Sequence, residues 1–152
     1  MKAKLLSAVT TLALATMAQA TITPIMPNEK LNWQPARTLP PGAEIAVLSG
    51  DPTKKEPFVA RVKLPAQYTI PPHEHSVPEY DIVLSGTLYI GMGDKLDIDS
   101  DKNQELPAGS YVKIPAHQVH YSWTKQETIL QISGVGPWGT IYFDKGLNKK
   151  YS

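Results

Sequence analysis

The four histidines of this chain fall in two short segments, and the first segment also contains Glu79. His73, His75 and Glu79 have the same parity, so on an extended chain their side chains can point to one face. His120 can bring a third imidazole from a neighbouring strand. Three neutral imidazoles and one carboxylate suit Zn²⁺, Fe²⁺, Mn²⁺, Ni²⁺ or Cu²⁺. The sequence therefore predicts a site for one divalent ion.

A six-coordinate ion on four protein ligands keeps two positions for water, substrate or O₂, as catalytic and ligand-binding sites do. Three further residues are candidates for acid–base work beside it: His117, Asp81 and Tyr121. His117 either replaces His120 as a ligand or stands at the rim and contacts substrate. Asp81 shares the parity of Glu79, and either points inward as an acceptor for a ligating imidazole or is turned outward by a β-bulge.

The sequence predicts that these residues are positioned by short strands. Nine alternating or apolar runs are separated by turn residues, and no run after residue 20 holds the period of a substantial helix. Ser85 and Gly86 have the length of a tight hairpin turn. An all-β sandwich or barrel is expected from runs at 44–48, 58–64, 68–70, 80–84, 87–92, 111–114, 119–124, 128–133 and 140–143.

The spacing His-x-His-x₃-Glu-x₆-Gly resembles the first motif of the cupins, and Pro-x-Gly-x₅-Pro-x₄-His resembles the second. Together the two motifs span residues 73–120. The resemblance implies an antiparallel jelly-roll β-barrel with structural turns at Gly86 and Gly109. It also implies metal ligation by His73, His75, Glu79 and His120. The chain departs from the motifs at Gln67, where the family has glycine, and at Thr124, where it has asparagine.

The first twenty residues have the layout of a secretory signal peptide. Lys2 and Lys4 precede a mostly apolar run that ends at the small-residue site Ala18-Gln19-Ala20. An N-terminal anchor or a buried helix is the alternative interpretation. The predicted organisation is a signal peptide at 1–20, an irregular arm at 21–43, a cupin β-barrel domain at 44–145 and a C-terminal tail at 146–152.

Charge and composition limit the partners. Two of the 15 basic residues lie in the predicted signal peptide, which leaves 13 against 14 acidic ones. A near-neutral surface gives no electrostatic reason to expect a nucleic acid or an anionic membrane as partner. The chain contains no cysteine, so no disulfide is expected. We expect a periplasmic or secreted protein without a stable membrane anchor. Its arm, with Trp33, either pairs two copies as a homodimer or is a disordered spacer.

Cupins include dioxygenases, isomerases, lyases, sensor domains and storage proteins, so the fold leaves the activity open. The resemblance implies a metal-dependent protein that acts on or binds a small organic molecule in the cell envelope. An enzyme is the first expectation. The alternative is a non-catalytic module that binds or senses a ligand or a metal.

Overall fold

The computed structural model describes residues 24, 25 and 30–151. The strands all belong to the unit that begins at Leu31. The predicted signal peptide at 1–20 lies outside the described residues. Among the described residues, no helix has the length and apolar character needed to cross a membrane.

The regular secondary structure of this unit is almost entirely short strands, and each of the nine predicted runs overlaps one of them. The short strands β1 and β7 were not predicted. In chain order the strands are β1 Gln34–Pro35, β2 Glu44–Ser49, β3 Pro57–Leu64, β4 Thr69–Glu74, β5 Glu79–Ser85, β6 Thr87–Met92, β7 Gln104–Pro107, β8 Tyr111–Ile114, β9 His120–Trp123, β10 Thr128–Val135 and β11 Ile141–Tyr142.

Two antiparallel sheets hold these strands. One has the order β1-β2-β3-β10-β5-β8, and the other has the order β11-β4-β9-β6-β7. Strand β3 shows why they face each other. Its residues alternate, so that Phe58, Ala60, Val62 and Leu64 are at most 4% exposed while the residues between them are less buried. One apolar face per strand requires a second layer to cover it. The prediction of an antiparallel all-β fold is confirmed.

The turn at Gly86 differs from the prediction. Strand β5 pairs with β10 and β8, whereas β6 pairs with β7 and β9, so Ser85 and Gly86 do not join a hairpin. They carry the chain from one sheet to the other. Gly86 has a φ of 75°, and a Cβ there would lie 2.4 Å from the carbonyl oxygen of Glu127. Only glycine fits both the conformation and the space.

The segments before β2 and after β11 also pack against the core. In the predicted arm, Ala36, Leu39 and Ala43 are buried in the core, so the interpretation as a disordered spacer is wrong for this part. In the predicted tail, a short helix α1 covers Lys145–Lys150 and is capped by Asp144. Leu147 packs against the core from this helix.

Candidate metal centre

The pairing of β4 with β9 brings two of the histidines side by side. His73 lies opposite His120 in this antiparallel register, and their ring centroids are 4.2 Å apart. His75 follows directly after the end of β4. The shared parity of His73 and His75 turns both imidazoles to the interior face, as the sequence predicted.

These three histidines form one compact group. One ring nitrogen of each lies within 4.8 Å of the corresponding atoms of the other two. The residues His73, His75 and His120 are only 2–3% exposed. Three convergent imidazoles in a buried position can hold a metal ion.

The hydrogen bonds of the rings decide which nitrogen faces the group. The Nδ1 atoms of His73, His75 and His120 contact the carbonyl oxygens of Pro71, Gly139 and Gln118 at 2.7, 2.8 and 2.9 Å. A carbonyl oxygen only accepts, so each Nδ1 carries the proton and donates it. In a neutral ring the lone pair then resides on Nε2, the arrangement typical of metal-ligating histidines.

Burial also favours the neutral form of the His73 and His120 rings. It lowers the pKa of His73 well below the usual value, and the nearby imidazoles of His120 and His75 add to the effect. The pKa of His120 is lowered as well, mainly by burial. A neutral imidazole is the form that binds a metal, so the surroundings favour ligation over protonation.

Glu79 stands at the edge of this group. It begins β5, is 6% exposed, and its Oε2 lies 3.4 Å from Nε2 of His75 without forming a hydrogen bond. The Nε2 of His75 has no hydrogen-bond partner among the described residues. A cation between the two atoms would satisfy both a carboxylate oxygen and an imidazole lone pair. The donor set present therefore fits a divalent ion.

Asp81 points to the same interior. It is 2% exposed and pairs with Val112 in an unbroken register between β5 and β8, so the alternative of an outward-turning bulge is wrong. Burial, together with the charge of Glu79 and a hydrogen bond to it, raises the pKa of Asp81 well above its usual value. Two neighbouring carboxyl groups in a dry site share a proton in this way.

The other two acid–base candidates lie elsewhere. The His117 side chain is 65% exposed and its Nδ1 lies 3.2 Å from Glu74 Oε1, which places it at the rim and outside the histidine group. Tyr121 is buried, but it follows His120 on β9 and so faces away from the site. Its hydroxyl donates to the carbonyl oxygen of Asp97 at 2.8 Å. As a catalytic candidate Tyr121 is a wrong prediction.

Sequence reasoning missed the loop between β10 and β11. The indole N–H of Trp138 donates to Oε2 of Glu79, and its ring stacks on His75 at 5.5 Å with an interplanar angle of 20°. The next residue, Gly139, accepts the hydrogen bond from His75 Nδ1. The glycine- and proline-rich run at 134–139 signals a turn, but nothing in its pattern indicates which residues it contacts.

The two departures from the cupin motifs meet at one turn. Gln67 has a φ of 56°, the left-handed region that glycine adopts without strain. The backbone N–H of Thr124 donates to the carbonyl oxygen of Tyr68 at 2.9 Å, and its hydroxyl donates to the carbonyl oxygen of Pro65. Thr124 therefore holds the strained turn at the start of β4, which carries His73.

Comparison with known proteins assigns the family. A family model described as "Domain of unknown function (DUF4437)" matches residues 25–135. The chain belongs to this cupin-like family. No curated protein matches its sequence.

Solved structures with the same fold are cupin proteins. Acetylacetone dioxygenase from Acinetobacter johnsonii is similar with a TM-score of 0.60 and 15% identity, over 94% of this chain and 100% of that one. An RmlC-like cupin from Shewanella frigidimarina has a TM-score of 0.56 and 16% identity, and the match covers 71% of this chain and 86% of that one. The DMSP lyase DddQ from Ruegeria pomeroyi has a TM-score of 0.55 and 18% identity, and the match covers 70% of this chain and 57% of that one. The predicted jelly-roll fold of the cupins is confirmed.

The lowered pKa values of the two histidines predict how the metal-free protein responds to pH. Because His73 and His120 bind protons more weakly when folded, their contribution to the free energy of unfolding is full above pH ~6.5, the usual histidine pKa. It is lost as pH falls through the folded values, by up to about 1.4 kcal/mol per pH unit for each group. The raised pKa of Asp81 has the opposite effect on stability. Folded Asp81 binds a proton more tightly than the unfolded side chain does, so it adds to the free energy of unfolding as the pH falls.

We therefore expect the chelator-treated protein to lose stability between pH 7 and pH 5.5, as measured by urea unfolding at each pH. The variant Asp81→Asn removes the opposing carboxyl and should show a steeper loss. A stability that rises as the pH is lowered would contradict the neutral, buried state of the histidines.

The strained turn at Gln67 makes a second prediction. Gln67→Gly should be more stable than Gln67→Ala by about 1 kcal/mol, because only glycine adopts a positive φ without a Cβ penalty. Urea unfolding of the two variants measures the difference, and both remove the same side-chain contacts. Equal stability of the two would show that residue 67 is not in the left-handed region.

Proposed function

We propose that this protein binds one divalent metal ion through His73, His75 and His120, with Glu79 as an oxygen ligand, and uses it on a small organic molecule. One observation carries the proposal. Three buried imidazoles donate from Nδ1 to backbone carbonyls, and this arrangement directs their Nε2 lone pairs to a common point. One of them, on Nε2 of His75, is buried without a hydrogen-bond partner among the described residues, and a cation at the common point would satisfy all three.

The residues of this chain have distinct tasks around the ion. When bound, a divalent ion at these residues would act as a Lewis acid that polarises a carbonyl group or lowers the pKa of a bound water. The carbonyls of Pro71, Gly139 and Gln118 fix the orientation of the rings. Trp138 holds Glu79 by its indole N–H, and the aliphatic side chains of the interior exclude water.

An enzyme is the function that this arrangement supports best. The buried carboxyl of Asp81 beside the ligand group is a hydrogen-bonding and proton-holding group of the kind that catalysis uses. Proteins of similar fold include a dioxygenase and a lyase. The second candidate is a non-catalytic module that binds a small ligand or the metal itself. The small size of the interior cavity favours this candidate.

The ligand assignment is tested by His75→Ala, with His117→Ala as the matched control. We expect the wild-type protein and His117→Ala to bind about one equivalent of metal, measured by plasma mass spectrometry. His75→Ala should lose at least about 100-fold in metal affinity, because it removes a ligand from the group. The increase in Tm on addition of metal should disappear in the same variant. Unchanged stoichiometry in His75→Ala would contradict the site.

A location in the cell envelope is part of the proposal, and the signal-peptide pattern of residues 1–20 supports it. Expression of the full chain in a bacterium should yield exported protein whose N-terminus, determined by mass spectrometry, is Thr21. Ala20→Leu removes the small residue before the expected cleavage point, and should accumulate uncleaved precursor. Full-length wild-type protein in the cytoplasm would contradict export. A chain exported unfolded would acquire its metal outside the cytoplasm.

A further inference from the structure

A cavity of about 40 Å³ lies between the two sheets next to the three histidines. Its walls are mainly aliphatic, contributed by both sheets: Leu39, Val62, Leu64, Ile70, Leu88, Ile90, Ile114, Leu130 and Ile132. The polar residues of the metal site, together with Asp81 and Ser122, line one part of it. Any molecule that reaches the ion must occupy this space.

The volume limits the size of that molecule. A single water needs about 10–15 Å³, so a cavity of about 40 Å³ limits a ligand to a few non-hydrogen atoms unless its walls move. A body of a few carbon atoms would match the aliphatic walls. A larger molecule would have to displace core side chains such as Leu64 and Ile132, which are at most 2% exposed.

Asp81 lines this cavity and has one carboxyl oxygen that makes no hydrogen bond among the described residues. Its Oδ1 is fully buried and has no hydrogen-bond partner among the described residues. More than nine in ten buried polar groups in proteins have a partner, and an unpaired one costs about 1–3 kcal/mol. The neighbouring carboxylate of Glu79 does not satisfy this atom. Its oxygens accept hydrogen bonds, as Oε2 does from Trp138, and have no proton to donate. A donor is missing from the site.

We propose that the cavity binds a small aliphatic molecule whose N–H or O–H group donates a hydrogen bond to Oδ1 of Asp81. The proposal deepens the proposed function, on which it rests for the position of the ion. It makes Asp81 a residue that selects the ligand by hydrogen bonding. Ligands of the same shape without a donor leave Oδ1 unpaired and bind more weakly.

The surroundings of the cavity show how such a ligand would enter. Leu39, Val62 and Trp138 line both the inner cavity and an outer cleft of about 230 Å³. The segment that carries Leu39 is fixed by the Tyr142 hydroxyl, which donates to the carbonyl oxygen of Thr38 at 2.9 Å. A route between Leu39 and Trp138 would connect the two spaces, because both residues line each of them.

The test uses acetamide and acetone, which have the same shape and differ in an amide N–H₂ group in place of a methyl group. Their affinities for zinc-loaded protein are measured by ligand-observed NMR in the wild type, in Asp81→Leu and in Asp81→Asn. Leucine keeps the shape of the aspartic acid side chain and removes the acceptor, whereas asparagine retains an acceptor oxygen. The zinc content of each sample is measured in parallel.

We expect the ratio of acetamide affinity to acetone affinity to fall about five-fold in Asp81→Leu relative to the wild type, and to be largely retained in Asp81→Asn. Cyclohexanecarboxamide should not bind the wild type. An unchanged ratio in Asp81→Leu would overturn the role of Asp81, and binding of cyclohexanecarboxamide as tight as that of acetamide would overturn the size limit. Wild-type protein without zinc contradicts the proposed function instead, and the affinity ratio measured in that protein still decides the role of Asp81.

Discussion

The structure depends on three hydrogen bonds from buried imidazoles to backbone carbonyls. Each bond fixes one tautomer and leaves the Nε2 lone pair free to bind a cation, and Nε2 of His75 is buried without a hydrogen-bond partner among the described residues. The carbonyls come from β4, from the segment before β9 and from the loop after β10. The fold therefore has to bring together three distant parts of the chain, and the antiparallel pairing of β4 with β9 does most of this.

Much of this could be predicted from local patterns. The equal parity of His73 and His75 is a property of extended backbone, and it holds wherever the strand lies in the fold, whereas Glu79 follows a bend and begins the next strand. The spacing from Pro115 to His120 favoured His120 over His117, and the structure places His120 in the group and His117 at the rim. The strands could be predicted because apolar and polar residues alternate along a strand that has one buried face.

The rest depends on contacts between residues far apart in sequence, which a local pattern does not record. The tight turn at Gly86 looked like a hairpin because turn length alone does not specify which strands pair. Trp138 reads as an ordinary core aromatic, yet its N–H meets Glu79, 59 residues earlier. Tyr121 was a reasonable acid–base candidate until β9 placed it on the face opposite His120. The packing of Leu39 over the cavity is likewise invisible in a proline-rich segment.

The most direct test of the metal centre is a crystal structure of the zinc-loaded protein, with an anomalous difference map calculated from data collected above the zinc absorption edge. The account predicts one strong peak at about 2.0–2.1 Å from the Nε2 atoms of His73, His75 and His120, with an oxygen of Glu79 as the nearest carboxylate. A peak bound through Nδ1, a peak at the rim beside His117, or no peak between the two sheets would contradict it.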